Sequence, residues 1–426
     1  MADSNWPRWL IIGLLLVTAM LVPQLAAGQS SELNDIGNWY TTEARWRNTR
    51  GLSVGAGVVA PLTAHYNMSF GATILGVNVR NGAQYYAAVV SYQDGWLDVL
   101  DWAGPLSAPA QWHSGPYHIA AGQPDGRLLF WPTVPGEYPA AVQLSNAYVA
   151  HTPFAIVCQP AQPVATRLTG WIVTAAFNAE HLDSELVVNR YDGAGRLQVS
   201  LASKRISGSL KSISYANIAG QNASYPWIGY VTNHGLFSVW YDRDGSWHLD
   251  RLADSALETA RLSMPETANL TSIQVLYQDN SDPVPNPRLH QINLDLAGGG
   301  VSARWGESRG LIGEMEVLNH AFIPSALSDL PLLVAASDRE VRLFYFGHPP
   351  QARSTRPQFD ITLYNSELVY AAGQEVAARP VLGLAGAAHW STGYPEVFWI
   401  QMNNNSGATG ELYCAAFQPD RRQLKR

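Results

Sequence analysis

The sequence predicts an all-β fold, and three observations support this prediction. After residue 50, no stretch keeps the apolar periodicity of an amphipathic helix over any useful length. Short runs rich in Val, Ile, Tyr, Phe and Trp are instead separated by Gly, Pro, Asn and Asp, as in strands joined by turns. The composition agrees, because 36 Gly and 26 Pro supply turn residues while 15 Trp favour strands.

The strand-like runs recur along the chain in a regular way. Four of them follow the same short pattern, which is a small or polar residue, any residue and then a proline. The copies are Ser114-Gly115-Pro116, Ser224-Tyr225-Pro226, Asp329-Leu330-Pro331 and Gly393-Tyr394-Pro395. Two copies share a longer motif, since residues 110–115 (AQWHSG) match residues 388–393 (AHWSTG). The pattern indicates an internal repeat with a unit of about 55 residues.

Together with similar runs that lack the proline, the repeat gives seven units. They begin near residues 70, 117, 171, 227, 272, 331 and 396. Each unit offers three or four antiparallel strands in about 45 to 65 residues, which is typical of a β-propeller. We therefore predict a seven-bladed β-propeller, formed by residues 29–426 as one domain, with the unit starts as innermost strands. Six blades remain an alternative if residues 70–112 form an appended pair of hairpins.

The last unit is too short to make a blade by itself. It offers strands only at residues 396–402 and 411–417 before the chain ends. Strand-like segments at residues 39–46 and 52–60 precede the first unit and have no blade of their own. A blade needs about four strands, so residues 29–60 are predicted to complete the last one. Pairing N-terminal with C-terminal strands in this way closes the ring and leaves no exposed sheet edge.

The N-terminus has the organisation of an export signal. Arg8 precedes an apolar run, Pro23 breaks that run, and the small residues at 26–28 fit a signal-peptidase site before Gln29. Residues 1–28 are thus predicted to be a signal peptide. The alternative is an uncleaved membrane anchor at residues 9–28, whose length is close to the about 20 residues that span a bilayer. Either reading predicts an extracellular, periplasmic or cell-surface protein.

Charge and short motifs exclude several classes of function. The formal net charge is −7 and the pI is about 5.9, so no basic surplus is available to neutralise phosphates and no nucleic-acid partner is expected. The sequence contains no HExxH motif and no Gly-rich phosphate loop, and we assign no catalytic residue, metal or cofactor. Cys158 and Cys414 fall in different units and are expected to be buried thiols and not a disulfide.

Aromatic residues stand just before or at the first strand of several units. In a propeller such loops gather on one face, around the mouth of the channel. Trp carries a large apolar area with a polar handle, which suits both sugar stacking and protein interfaces. The candidate ligand-binding residues are Trp112, His113, Trp171, Trp227, His389 and Trp390. The alternative for each of them is that it packs between neighbouring blades.

These observations favour an exported, non-catalytic propeller. Its expected partner is a glycan or an extracellular or envelope protein, bound through the aromatic loops at the channel mouth. The alternative is a hydrolase or lyase that acts on polysaccharide, because Glu396 is the acidic residue among the unit starts. Its partner carboxylate would come from a neighbouring loop, such as Asp94 or Asp244.

Overall fold

The computed structural model describes the chain from residue 37 to residue 419 with gaps. The described residues are 37–55, 57–67, 71–115, 117–132, 142–144, 152–160, 168–178, 180–191, 197–219, 224–241, 246–253, 272–278, 287–295, 302–305, 309–310, 319–323, 332–337, 340–345, 359–365, 380–388, 394–402 and 409–419. Regular structure in these ranges consists of strands. They include no helix with the length and hydrophobicity needed to cross a membrane.

The described strands group into seven antiparallel sets, which we number as blades 1 to 7. Two short strands come first, β1 (Gly37–Glu43) and β2 (Arg45–Asn48). Blade 1 consists of β3 (Val58–Asn67), β4 (Ala72–Asn81), β5 (Gln84–Gln93) and β6 (Trp96–Leu106). Blade 2 consists of β7 (Gln111–Gly115), β8 (His118–Gly122), β9 (Leu128–Pro132) and β10 (Val142–Leu144). Blade 3 consists of β11 (Ala155–Pro160), β12 (Leu168–Asn178), β13 (Asp183–Tyr191) and β14 (Leu197–Ser207).

Blades 4 to 7 continue the same up-and-down order. Their strands are β15 (Leu210–Ala219), β16 (Ser224–Thr232), β17 (Gly235–Tyr241) and β18 (Trp247–Ala253); β19 (Ser272–Gln278), β20 (Pro287–Asp295), β21 (Ser302–Trp305) and β22 (Arg309–Gly310); β23 (Asn319–Ile323), β24 (Leu332–Ala336), β25 (Glu340–Tyr345) and β26 (Phe359–Asn365); and β27 (Val381–Ala388), β28 (Pro395–Met402) and β29 (Gly410–Pro419). In blade 5, β21 and β22 both pair with β20.

The blades are arranged as a β-propeller. The first strand of a blade contacts the first strand of the next at five junctions, which are β3 with β7, β7 with β11, β11 with β15, β23 with β27, and β27 with β3. The last contact joins the end of the chain to its beginning. Hydrophobic clusters fill the spaces between blades 7 and 1, 1 and 2, 2 and 3, 3 and 4, and 6 and 7. Most of the stabilising apolar burial therefore lies between blades.

The N-terminal strand closes the ring, as the sequence predicts. β1 pairs with β29 along its whole length, from Gly37 opposite Pro419 to Glu43 opposite Tyr413, and becomes the outermost strand of blade 7. Of the described residues after β1, those in β2 and β3 belong to blade 1. β2 runs parallel to β6 at the outer edge of blade 1, and β3 is the first strand of that blade. A single bridge, Gly410 opposite Val58, links blade 7 to blade 1.

The predicted unit starts correspond mainly to second strands, so the prediction that they are innermost is wrong. Pro395 is the first residue of β28 and Leu332 the first of β24, each second in its blade. The reason is burial. A second strand has a neighbour on both sides and a blade against both faces, so that β8 and β24 are buried throughout and read as uninterrupted apolar runs. The innermost strand β7 (QWHSG) is polar and half-buried, and therefore was not recognised.

Candidate functional site

A cavity of about 290 Å³ lies at the centre of the ring, where the first strands of four blades begin. We call it the axial pocket. It is lined by Ala60, Pro61, Leu62, Gln111, Asn319, Leu382, Gly383 and Leu384. These residues come from blades 1, 2, 6 and 7, so the pocket depends on closure of the ring. Its volume is at the lower end of the range for small-molecule sites, about 300–1,000 Å³.

Two β-bulges form part of the pocket wall. The pairing of β3 with β4 is interrupted between Val59 and Thr63, and the pairing of β27 with β28 is interrupted between Val381 and Gly383. The skipped residues, 60–62 and 382, line the pocket. A bulge releases backbone N–H and C=O groups from the sheet ladder, and bulges are common beside functional sites. Both bulges thus place residues outside the regular sheet ladder at the wall of the pocket.

The buried side chain of Asn78 holds the first bulge in place. Its Nδ2 donates to Pro61 O at 3.1 Å and to Ala110 O at 3.0 Å, and its Oδ1 accepts from the Ala110 N–H at 2.8 Å. One amide therefore ties the bulge of β3 to the residue that precedes β7. Because Gln111 follows Ala110 directly, Asn78 also fixes the position of a residue that lines the pocket.

The pocket is polar but uncharged. Gln111 is half-buried and Asn319 is buried, and they are the polar side chains of the lining. A primary amide both donates and accepts hydrogen bonds, and so do the hydroxyl groups of a sugar. Among the described residues that line it there is no carboxylate, imidazole or basic group that would perform acid–base chemistry. The arrangement can bind a neutral ligand rich in hydroxyl groups.

Trp112 is a strand residue that packs between blades 1 and 2. Its ring lies on the backbone of Gly76, where an added Cβ would be only 2.3 Å from the ring. The Trp112 ring also stacks against the ring of Trp131, with centroids 6.0 Å apart. The side chain is half-buried, and its buried Nε1 has no hydrogen-bond partner. Trp112 thus fills the space between blades, next to Gln111 of the axial pocket.

His113 stacks on the fully buried His118, with centroids 5.4 Å apart and ring planes 5° from parallel. Its Nδ1 lies 3.2 Å from Nε2 of His118. His118 Nδ1 is buried without a partner, and an unpaired acceptor costs less than an unpaired donor, so we place the proton on His118 Nε2, which donates to His113. Desolvation lowers the pKa of His113 to about 4. Desolvation, together with the charges of His113 and His65, holds the pKa of His118 well below its usual value.

Trp171 and Trp227, the other predicted residues that the structure describes, do not line the axial pocket. Trp171 is half-buried in β12, where it contacts Trp247 edge-on at 6.2 Å, and Trp227 in β16 is completely buried. His389 and Trp390 lie outside the described residues. The prediction of loop positions is therefore wrong for the four described residues, because each lies within a strand that neighbouring blades cover. Full burial also removes Trp227 as a surface for a ligand.

A second polar cluster, which we call the seam cluster, lies between blades 7 and 1. Thr73 Oγ1 donates a hydrogen bond to Glu396 Oε2 across the seam. Burial raises the pKa of Glu396, the charge of Asp94 raises it further, and the Thr73 bond lowers it. Ala416 lies between Glu396 and Tyr40 in the strand register, and Tyr40 is half exposed. The sequence named Glu396 and Asp94, and the charge of Asp94 acts on Glu396 in the structure. Asp244 lies outside the described residues.

Both cysteines are buried and neither forms a disulfide, as predicted. Cys414 belongs to β29 and Cys158 to β11, on blades 7 and 3. Burial raises the pKa of the Cys414 thiol well above its ordinary value, and the charge of Glu396 acts in the same direction. A thiol that stays protonated is a poor nucleophile, so Cys414 serves packing in the hydrophobic core between blades 7 and 1.

Neither a protein-family model nor a curated protein sequence matches this chain. Solved structures with related shape include a variant of NanB sialidase from Streptococcus pneumoniae, at 8% identity and a TM-score of 0.46 over 88% of this chain and 70% of that one. The β-propeller domain of Nup133 from Vanderwaltozyma polyspora is 8% identical, with a TM-score of 0.43 over 89% of this chain and 97% of that one. A triple variant of AofleA from Arthrobotrys oligospora is 10% identical, with a TM-score of 0.44 over 77% of this chain and 90% of that one.

Proposed function

We propose that this protein is an exported, non-catalytic propeller that binds a glycan at its axial pocket. The observation that carries the proposal is the lining of that pocket, in which two neutral amide side chains lie beside two β-bulges and the described residues include no charged side chain. The hydroxyl groups of a sugar can both donate hydrogen bonds to the amide side chains and accept hydrogen bonds from them. A charged ligand would lose its hydration there without gaining a counter-charge.

Glycan binding can be tested with residues 29–426 on a glycan array, followed by calorimetry with the best ligand. We expect Gln111→Ala to weaken binding about five- to tenfold, the usual effect of losing one neutral hydrogen bond. Gln143→Ala is the matched control, because Gln143 is exposed on the outer strand of the same blade. Unchanged affinity in Gln111→Ala contradicts the proposed site. Capture of an envelope protein in place of any glycan contradicts the proposed ligand.

Export is a separate part of the proposal and rests on residues 1–28, whose apolar run ends in small residues before Gln29. Expression in a bacterial host should yield protein outside the cytoplasm. N-terminal sequencing is expected to begin near Gln29. Membrane-bound protein that still begins at Met1 would instead identify residues 9–28 as an anchor.

Polysaccharide cleavage is a second candidate function, favoured by the seam cluster. A partly buried Glu396 with a raised pKa resembles a general acid, which donates its proton to the leaving oxygen of a glycosidic bond. The exposed carboxylate of Asp94 would then activate the water molecule that completes hydrolysis. Asp94 lies at φ 50°, a conformation that Asn adopts readily, so Asp94→Asn changes the charge without straining the turn.

Release of reducing ends from a panel of soluble polysaccharides distinguishes the two functions. Hydrolysis by the seam cluster should fall at least about a hundredfold in Glu396→Gln and in Asp94→Asn, the usual effect of removing an acid or base catalyst. Asp125→Asn, at the exposed turn after β8, is the matched control. Absence of release by the wild-type protein, or release that both variants retain, eliminates this candidate.

A further inference from the structure

The side chains of the axial pocket are arranged in an ordered arc. Its four first strands lie side by side, because β23 contacts β27, β27 contacts β3, and β3 contacts β7. Asn319 on β23 and Gln111 on β7 therefore stand at the two ends of the arc. Residues 60–62 of β3 and 382–384 of β27 occupy the middle. The pocket thus has an amide side chain at each end and an apolar centre.

Gly383 allows the two central segments to lie against each other. A Cβ at this position would be 2.8 Å from Leu62 Cδ2 and 3.3 Å from Ala60 Cβ, so the glycine permits a close approach of β27 to β3. Leu382 and Leu384, on either side of Gly383, are half-buried and line the pocket. We call the resulting apolar surface the aliphatic floor. It consists of Ala60, Pro61, Leu62, Leu382 and Leu384.

Both amide side chains are available to a ligand. Within the described part of the chain, neither Gln111 nor Asn319 forms a side-chain hydrogen bond. Asn319 is only 9% exposed, although polar side chains at this degree of burial usually have a partner. A primary amide offers two N–H donors and one carbonyl acceptor. A ligand that bonds to both residues therefore satisfies groups that the fold leaves open.

A plain hexose suits only part of this lining. Its hydroxyl groups project all around the ring, so some of them would lie on the aliphatic floor without a hydrogen-bond partner, which costs affinity. An acetamido group carries an N–H and a C=O that match a primary amide, together with a methyl group that gains by burial against leucine. The cavity volume of about 290 Å³ is small for a ligand site and suits a single sugar residue.

We propose that the axial pocket binds a 2-acetamido sugar residue, such as N-acetylglucosamine. This inference rests on the proposed glycan binding and names the class of sugar. Asn319 bonds the acetamido N–H and C=O, and the acetyl methyl group lies on Leu382 and Leu384 of the neighbouring strand β27. Gln111, at the other end of the arc, bonds the ring hydroxyl groups.

Calorimetry with N-acetylglucosamine, N-acetylgalactosamine and D-glucose tests the inference on residues 29–426. We expect at least one of the two acetamido sugars to bind at least about tenfold more tightly than D-glucose, the usual value of one well-placed apolar group in a pocket. Asn319→Ala should remove most of this preference, because it deletes the partner of the acetamido group. Gln111→Ala should weaken all three sugars alike and leave the preference unchanged.

Leu384→Ala gives a second test of the preference if Asn319→Ala does not fold, and thermal denaturation shows which variants are folded. It removes part of the aliphatic floor and should reduce the preference for the acetamido sugar about fivefold. Asn81→Ala and Leu249→Ala are the matched controls, because both residues are exposed and neither lines the pocket. Both controls should leave the preference as it is in the wild-type protein.

Failure of this inference and failure of the proposed function give different results. Equal affinity for D-glucose and the acetamido sugars overturns the inference and leaves glycan binding standing. A preference that folded Asn319→Ala and folded Leu384→Ala both retain overturns it as well, because the acetamido group then binds elsewhere. Absence of binding to all three sugars and to every glycan of the array overturns both.

Discussion

Trp112 and Gly76 form a contact that depends on a missing side chain. The indole covers the glycine backbone, so Gly76→Ala would place a methyl group 2.3 Å from the ring. We expect a loss of about 1–3 kcal/mol in unfolding free energy, the usual cost of overpacking a core. Gly55→Ala is the matched control, since nothing lies within 4 Å of its added Cβ and its φ is not positive. Denaturant unfolding measures both, and equal stability would contradict the packing role of Trp112.

Three histidines, on β3, β7 and β8, make stability depend on pH. Desolvation lowers the pKa of His65 and His113 to about 4 and that of His118 well below its usual value. From pH 6.5 down to 4 the unfolded chain therefore takes up protons that the native protein does not. Unfolding free energy should fall over this range, by up to about 1.4 kcal/mol per pH unit for each histidine.

Urea midpoints measured between pH 7.5 and 4 test this dependence. His113→Gln should flatten the slope, because it removes one of the histidines whose pKa burial lowers. Glu396 acts in the opposite sense, because its raised pKa lets the native state take up a proton before the unfolded state does. Glu396→Gln is therefore expected to steepen the loss of stability toward low pH. A midpoint that does not change with pH would contradict the burial of these groups.

Residue identities on the first strands were predictable, but their surroundings were not. The repeated motif at residues 110–115 drew attention to Trp112 and His113, and it also contains Gln111, which lines the axial pocket. Whether a residue of a strand is covered depends on the neighbouring blade, which pairs residues far apart in the chain. No local pattern carries that information.

At the scale of single elements, bulges matter more than strand positions. Asn78 forms three hydrogen bonds that hold the β3 bulge against the start of β7. Asn78→Ala leaves these buried backbone groups unpaired, so we expect a loss of about 2–4 kcal/mol in unfolding free energy and weaker ligand binding. Asn81→Ala, exposed at the end of the same strand, should change stability by about 0.5 kcal/mol or less. Similar denaturation midpoints for both variants would contradict this role.

The apolar runs separated by turn residues predicted where the strands lie, but they did not predict the order of the strands within a blade. Second strands such as β8 and β24 are buried throughout, so the prolines and apolar runs mark them clearly. First strands expose part of their surface to the central channel and read as loops. The displacement by one strand moved the expected ligand face into the packed spaces between blades. The sequence pattern therefore predicted the ring of blades but not the axial pocket.

For the whole molecule, closure by the N-terminal strand is the feature on which the axial pocket depends. β1 covers the edge of β29, and Trp39 packs edge-on against Phe417 with centroids 5.6 Å apart. The short last unit predicted this pairing, because a blade with too few strands needs strands from elsewhere. It did not predict that residues 45–60 would join blade 1, since the division of the segment depends on β6 and β4.

Shortening the chain tests closure directly. A protein that begins at Arg45 lacks β1, which exposes the edge of β29 and the contact surface of Phe417. Compared with a protein that begins at Gln29, it should unfold at a lower temperature, aggregate more readily and lose the axial site. A synthetic peptide of residues 37–43 should restore part of the stability by adding the missing strand. Because the axial pocket needs blades 6, 7, 1 and 2 together, glycan binding and the melting temperature should fall together. Equal melting temperatures for the two proteins would contradict closure by β1.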